Sequence, residues 1–401
     1  MFLQRFFRSN LDVLPVGLQT MELIGLWGED RRQVAKFGAI ASWMTLMILI
    51  PKSTLEYGGE GFDSFARGTA ELIYFGDFIS SMVIFALQRG SYVRMINILQ
   101  DSFRKCAGED QPESCRKAIV DFNWKIFRYS RIYACFIGSC LIFYVPLPMT
   151  ATFFNYFSAA GNGTEGVEFV LPLENKFYWL DTRRNIWHYV IYMVLLVPAV
   201  TGSACLSTVK GTVLFTIIRY GAMIFELVSL KIADLGRGEN FEEGKEEYRR
   251  KQLVEIFELH KTALEYAKLL ENIMSFILLS QFVNCMLISC LMMFYISSTY
   301  GPNVVNMVIL FAVLMVEVFA YCFSGDELSS KAAEVANSVA MYPWYREPVT
   351  VQKELKLMIQ RAQSTIGITA GNFYYVDIKR FGVVVQTSYS YYLILKERFN
   401  A

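Results

Sequence analysis

Val376-Asp-Ile-Lys-Arg-Phe-Gly-Val-Val-Val-Gln-Thr-Ser-Tyr-Ser-Tyr-Tyr-Leu-Ile-Leu-Lys-Glu-Arg-Phe399 closes the chain two residues before its last position. At 1.5 Å per residue, a helix of roughly 20 residues crosses a bilayer core, so the stretch is long enough to span. It is not apolar all round. Val383, Thr387, Ser390 and Ile394 share one helical stripe, and Glu397 continues it. Lipid gives such a stripe no partner, whereas water in a pore or a polar subunit seam does.

The rest of the chain agrees with a membrane setting. Its 401 residues are 54% hydrophobic, 15% aromatic and 19% charged, and the mean hydropathy is +0.32. Soluble domains carry about 25% charged residues. A net charge of +1 gives no reason to expect nucleic acid as a partner. The first residues, Met1 to Asn10, lack the apolar core and small-residue cleavage site of a signal peptide, so the first span is expected to direct insertion.

Seven apolar stretches are predicted to span, at about 34–50, 70–87, 132–153, 187–208, 273–297, 304–324 and 376–396. The segment 209–272 is charged but helix-patterned and reads as cytoplasmic extensions of the fourth and fifth spans. Gly236 and Gly238, flanking Arg237, mark the turn between them. The fold class is therefore all-α integral membrane. Residues 1–324 form a six-span bundle with its extensions, 325–375 a cytoplasmic anchor segment and 376–401 the seventh helix. In the anchor segment, Met341-Tyr-Pro-Trp-Tyr345 precedes an amphipathic run, Leu355, Met358 and Ala362, whose apolar side is expected to pack on other cytoplasmic helices or on another subunit.

Lysine and arginine orient the bundle. Four lie before residue 34, nine in 88–131, ten in 209–272 and five in 325–365; the alternate segments hold two in 51–69, three in 152–186 and none in 298–303. Every segment of the first set outnumbers every segment of the second. The N-terminus is thus expected in the cytoplasm and the C-terminus outside. Asn162-Gly-Thr164, a glycosylation sequon, then falls in an external loop, which a glycoprotein requires. None of the eight cysteines falls in an external loop, so all are expected as buried or reduced thiols. This orientation is the reverse of a G-protein-coupled receptor, and the motifs of that class are missing, so no G protein is expected as partner.

Catalytic signals are nearly absent. The two histidines, His188 and His260, are far apart and read as interfacial or surface residues, and no metal, phosphate or nucleophile motif occurs. No enzymatic activity, cofactor or metal is expected. Asp77 and Glu317 lie inside apolar runs, where a charge needs a partner or water; a pair with a neighbouring helix explains them more simply than an ion path. Lys36 and Glu71 sit near span ends and can reach water. Aromatic and thioether side chains crowd the outer halves of the spans: Tyr74, Phe75, Phe78, Phe143, Tyr144, Tyr189, Tyr192, Met193, Met286 and Phe294, with Met293 and Tyr295 beside them. Together they could wall a pocket for a small, uncharged, mostly apolar ligand; singly, each reads as packing or as an interfacial belt.

Trp344-Tyr345, Ile359-Gln-Arg-Ala-Gln363, Thr369-Ala-Gly371 and Thr387-Ser-Tyr-Ser-Tyr-Tyr-Leu-Ile-Leu395 together resemble the C-terminal signature of insect odorant receptors. The resemblance covers about 60 residues in motif and the rest in layout. Gustatory receptors end differently: Glu397 and Arg398 stand where that branch has Gln-Phe. The loop before span five is shorter than in the obligate co-receptor, which points to a ligand-tuning subunit. The resemblance implies an odorant-gated, nonselective cation channel assembled as a heterotetramer with the co-receptor, in the plasma membrane of a sensory neuron dendrite. It implies an odorant pocket in the outer half of spans two to five and a pore lined by the seventh helix, with Ile394 near the gate. A gustatory-type channel and a secondary transporter are the alternatives, the latter lacking the internal repeats it would need.

Overall fold

The computed structural model describes residues 21–22, 31–49, 62–108, 111–162, 168–175, 180–237 and 245–400. Helix α1 (Arg31–Met44) runs into a π turn, Thr45–Leu49; α2 (Phe62–Leu87) and α3 (Arg89–Cys106) meet at Gln88; α4 (Glu113–Tyr144) and α5 (Pro146–Asn162) meet at Val145. Then come three long helices, α6 (Ile186–Leu235), α7 (Glu246–Ser298) and α8 (Pro302–Met341), followed by α9 (Val349–Gln363), a short hairpin β1 (Thr369–Ala370) and β2 (Tyr374–Tyr375), and α10 (Ile378–Asn400). Five helical stretches are long and apolar enough to cross a membrane: α2, α4 with α5, α6, α7 and α8. The first span, whose apolar part Ala35–Ile48 is short, and the polar-striped α10 complete the seven.

At 50, 53 and 40 residues, α6, α7 and α8 each far exceed the roughly 20 residues a bilayer needs. They continue as one packed bundle, as expected for spans four and five. Span six does the same, which the boundary drawn at residue 324 missed: nothing between Gly325 and Met341 breaks a helix, and the first proline, Pro343, lies beyond it. The extension is cored by rings. The Tyr266 ring lies against Gly221, where an added Cβ would sit 2.9 Å from it, and its hydroxyl donates to the Ile217 carbonyl at 2.6 Å. The Tyr220 hydroxyl donates to Asn123 Oδ1 at 2.8 Å.

Helix α9 buries Leu355, Met358 and Ala362, the expected apolar side, against α8. Between α9 and α10, Gly371 and Asn372 both take φ near +61° at the centre of a turn closed by the Phe373 N–H donating to the Ala370 carbonyl at 3.1 Å, and the Ala370–Tyr374 pairing leaves three residues in the hairpin loop. That hairpin is docked on α7. The Gly371 N–H donates to the Ser275 carbonyl at 3.0 Å, and the Thr369 N–H to Glu271 Oε2 at 2.7 Å. A Cβ on Gly371 would meet Leu279 at 2.5 Å. Thus the Thr369-Ala-Gly371 motif is a clamp on α7. Asp377 then caps α10, its Oδ1 accepting from Arg380 N at 2.8 Å, and the Val376 carbonyl rests on Gly325 of α8.

Three expectations need correcting. Glu71 does not reach water; it is fully buried and pairs with Arg67. Lys210, counted among the cytoplasmic cations, is buried in the bundle. His260 is buried too, and burial, with Arg361 nearby, pushes its imidazole down to about 4. All eight cysteines are free, Cys106 and Cys115 both buried. Asn162 ends α5; its side chain, with Gly163 and Thr164 of the sequon and Gly238 of the expected turn, lies outside the described residues.

Candidate ligand cavity and pore helix

At the end of the bundle where α5 leads into α6, Arg67 on α2 gathers the chain between those two helices. Its guanidinium bonds Glu71 Oε1 and Glu174 Oε2, each at 3.0 Å, and the carbonyls of Leu171 and Pro172, each at 2.9 Å. Glu174 in turn pairs with Arg183, and its N–H donates to Glu71 Oε2 at 2.9 Å. Asn306 at the start of α8 donates to the Pro172 carbonyl at 3.1 Å. This buried network seats the loop between α5 and α6 as a cover.

Below it lies an apolar cavity of about 60 Å3 between α2, α4, α6 and α8. Tyr74, Phe75 and Phe78 come from α2; Ile137, Cys140, Leu141 and Tyr144 from α4; Val200, Ser203, Ala204 and Ser207 from α6; Ile309, Leu310 and Val313 from α8. Period 3.6 explains each row: positions 74, 75 and 78, or 137, 141 and 144, fall on one helix face. Of the ten sequence candidates, Tyr74, Phe75, Phe78 and Tyr144 line the wall. Phe143, one residue from Tyr144 and about 100° round the helix, is 59% exposed and points out of the bundle. Tyr189, Tyr192 and Met193 are buried near the loop between α5 and α6, where the Tyr189 ring meets Phe153 and Phe169. Met286 and Phe294 on α7 do not reach the cavity; Phe294 packs with Phe62 and Phe399. The fourth wall is span six instead of span five. Its aliphatic residues carry no aromatic cue, and the small Ser203 and Ala204 that make room carry none either.

Tyr74 and Phe78 also wall a smaller, polar void of about 10 Å3. Here Lys210 on α6, only 3% exposed, sits 3.2 Å from Asp77 Oδ2 and 3.2 Å from Glu317 Oε1. Its ammonium also donates to Gln281 Oε1 at 2.6 Å. Asp77 Oδ1 accepts from Asn284 at 2.6 Å and from Ser280 at 3.2 Å, and Tyr321 donates to Glu317 at 2.7 Å. The two intramembrane carboxylates thus form the expected interhelical pair, through a lysine that joins α2, α6 and α8 with α7 alongside. A larger groove of about 350 Å3, lined among others by Tyr129, Ile132, Phe215 and Ala320, is rimmed by the exposed Ile132 and Tyr129. Its rim lies on the outside of the bundle, where lipid lies, whereas no exposed residue lines the smaller cavity, which is the better place for a ligand.

Helix α10 packs on α7 and α8 through Phe381, Val384 and Ser388, the last two buried. Its opposite side is uncovered. Val383, Ser390 and Glu397 are exposed and Thr387 is half-buried; Ile394 is 61% exposed. All five stripe residues therefore turn wholly or partly from their own bundle. Among the described residues no group of His, Cys, Asp and Glu could hold a metal ion.

A family model for the 7tm odorant receptors matches residues 73–389. Among curated proteins, odorant receptor 10 of Aedes albopictus is 24% identical over 227 residues, 55% of this chain and 58% of that protein. The putative odorant receptor 92a of Drosophila melanogaster is 26% identical over 149 residues, with 36% of its length covered. The chain thus spans well under two thirds of either relative. Odorant receptor 13a of Drosophila melanogaster is 24% identical over 298 residues, 70% of this chain and 67% of that one. Among solved structures, the insect olfactory receptor OR5 from Machilis hrabei matches with a TM-score of 0.73 over 98% of both chains at 12% identity. The same receptor in complex with eugenol matches equally, with a TM-score of 0.73. That likeness is one of fold.

Proposed function

The chain belongs to the odorant receptor family, and on that premise we propose that it is the ligand-tuning subunit of an odorant-gated, nonselective cation channel. The observation that carries the reading is the apolar cavity under the loop between α5 and α6, sharing Tyr74 and Phe78 with the charge cluster. A volatile ligand is held there by shape and dispersion. The cavity's volume, about 60 Å3, is small beside the roughly 150 Å3 of an engineered apolar cavity that takes up benzene. A ring-sized odorant therefore needs the walls to part. A ligand that fits only the widened state favours it by its differential affinity, which is the free energy available for gating.

In this reading α10 lines the pore. Copies of the Val383, Thr387, Ser390, Ile394 and Glu397 stripe face a central axis, and a ring of Ile394 side chains blocks ions by excluding water until it widens. Lys396 and Arg398 near the mouth oppose cations; sharing the pore with co-receptor subunits dilutes them. The basic segments place the N-terminus in the cytoplasm. Removing the buried Lys210 from the count leaves that bias intact, since the remaining cations of 209–272 still outnumber those of any external segment. Partners are then the co-receptor, a volatile odorant and plasma-membrane lipid, with the sensory dendrite as the site of action. Asn162 is the glycosylation site if its loop is external. The family match is to odorant receptors, so the gustatory and transporter readings are not carried forward.

Expressing the chain with and without the co-receptor, and recording currents to a volatile panel, tests the proposal. Odorant-evoked cation current is expected only from the pair. Robust current from this chain alone would overturn the shared pore, and ion-coupled uptake without channel openings would overturn the channel.

A further inference from the structure

We infer that the odorant of this chain is a small neutral molecule bearing an oxygen acceptor, and that the Tyr144 hydroxyl donates to that oxygen. The inference rests on the cavity reading above and names the chemistry the cavity selects. No charged side chain lines the wall. Asp77, Glu317 and Lys210 are paired with one another behind Tyr74 and Phe78, and Arg67 is paired with Glu71 and Glu174 above. An ammonium or carboxylate ligand would lose its hydration and gain no counter-charge there.

Four of the residues that line this cavity carry hydroxyls: Tyr74, Tyr144, Ser203 and Ser207. Ser203 donates to the Ala199 carbonyl at 2.8 Å. Tyr144 is different. It is 4% exposed, and its buried hydroxyl has no hydrogen-bond partner among the described residues. A hydroxyl buried without a partner is a standing cost, relieved by whatever acceptor arrives. A ketone, ester or alcohol oxygen supplies one; a hydrocarbon of the same shape does not. Tyr144 is also well placed to select. It ends α4, one residue before the Val145–Pro146 junction with α5, where the proline restricts the backbone on either side.

The test compares each oxygenated volatile with its isosteric hydrocarbon on the full chain co-expressed with the co-receptor, in wild type and Tyr144→Phe. Acetophenone and α-methylstyrene are one such pair, and ketones, esters and alcohols of other skeletons supply more; benzylamine and benzoate probe charge. Surface biotinylation confirms delivery, and the potency ratio within a pair is independent of expression level. In wild type the oxygenated member of the active pairs is expected to be about tenfold more potent, and Tyr144→Phe to erase that advantage while leaving the hydrocarbon within about twofold. An unchanged ratio in Tyr144→Phe, a preference for hydrocarbons, or a preference for the charged probes overturns the inference and leaves odorant gating standing. A wild-type chain that reaches the surface with the co-receptor and answers no volatile overturns the channel reading itself, and this inference with it.

Discussion

Lys210→Met isolates the electrostatic centre of the bundle. The substitution keeps most of the side-chain volume but removes the one cation that Asp77 and Glu317 share at 3.2 Å each. Removing one partner of a buried ion pair costs about 3–5 kcal/mol, because the other charge is left uncompensated, and here two carboxylates are left facing one another. Ser280, Asn284 and Tyr321 still donate to them, but hydrogen bonds from neutral groups do not cancel two charges. Against the total stability of about 5–15 kcal/mol typical of a domain, the loss removes most of the folded, surface-delivered receptor. The control follows from charge counting. Asp77→Asn or Glu317→Gln alone leaves one lysine with one carboxylate, a balanced pair, and is expected to be far milder. The triple change Lys210→Met, Asp77→Asn, Glu317→Gln is neutral throughout and is expected to recover delivery, since uncharged packing can replace a buried pair at little cost. Surface biotinylation and the thermal midpoint of the detergent-solubilised protein, followed by size-exclusion chromatography, measure both. Wild-type delivery of Lys210→Met, or a triple variant no better than it, would refute the reasoning.

Gly325→Ala places a Cβ 2.2 Å from the Val376 carbonyl oxygen, so α8 and the foot of α10 must part by about 1 Å; overpacking of this kind costs about 1–3 kcal/mol, and a fall in odorant-evoked current per surface receptor is expected. Ile394→Thr wets the proposed gate and is expected to raise the holding current without odorant; an unchanged baseline counts against Ile394 as gate. His260 has a folded pKa near 4, below the unfolded value of about 6.5, so the unfolded chain takes up more protons between those values and stability is lost as pH falls from about 6.5 towards 4. The thermal midpoint is expected to drop over that window, and His260→Leu to flatten the part of the drop that His260 contributes.

Span length and apolarity were legible because a bilayer demands both of a continuous stretch of chain, and helix continuity carried the extensions of α6 and α7. The intramembrane carboxylates were legible as a pair, since no other arrangement is cheap in hydrocarbon. Their partner was not. Lys210 is 133 residues from Asp77 and 71 from Gln281 along the chain, and it begins a segment whose charge pattern looks cytoplasmic. Glu71 and His260 failed for the same reason: exposure was inferred from sequence neighbours, whereas Arg67, Glu174 and the packed extension decide it in space. In the cavity, aromatic identity found Tyr74, Phe75, Phe78 and Tyr144 but could not distinguish Tyr144 from Phe143, because a step of one residue turns a helix by about 100°. Span six escaped because its share of the wall, Ile309, Leu310 and Val313, is indistinguishable from lipid-facing sequence.

Helix α7 gives the cavity and α10 a physical connection. It carries Ser280, Gln281 and Asn284 to the charge cluster, whose void shares Tyr74 and Phe78 with the cavity. Immediately before them along the helix, Glu271, Ser275 and Leu279 form one i, i+4, i+8 face that holds the hairpin in front of α10. Parting the cavity walls moves α2, and α2 cannot move without stretching the Asp77–Asn284 and Asp77–Lys210 bonds or drawing α7 with it. Close packing favours the second, because side chains already in contact transmit a shift instead of absorbing it. At the hairpin the same shift meets Gly371 and Gly325, where no free space remains for the foot of α10 to stay behind. On the proposed reading, two contacts on one helix are thus enough to link a ligand among α2, α4, α6 and α8 to the proposed pore helix, without requiring the cavity and the stripe to adjoin.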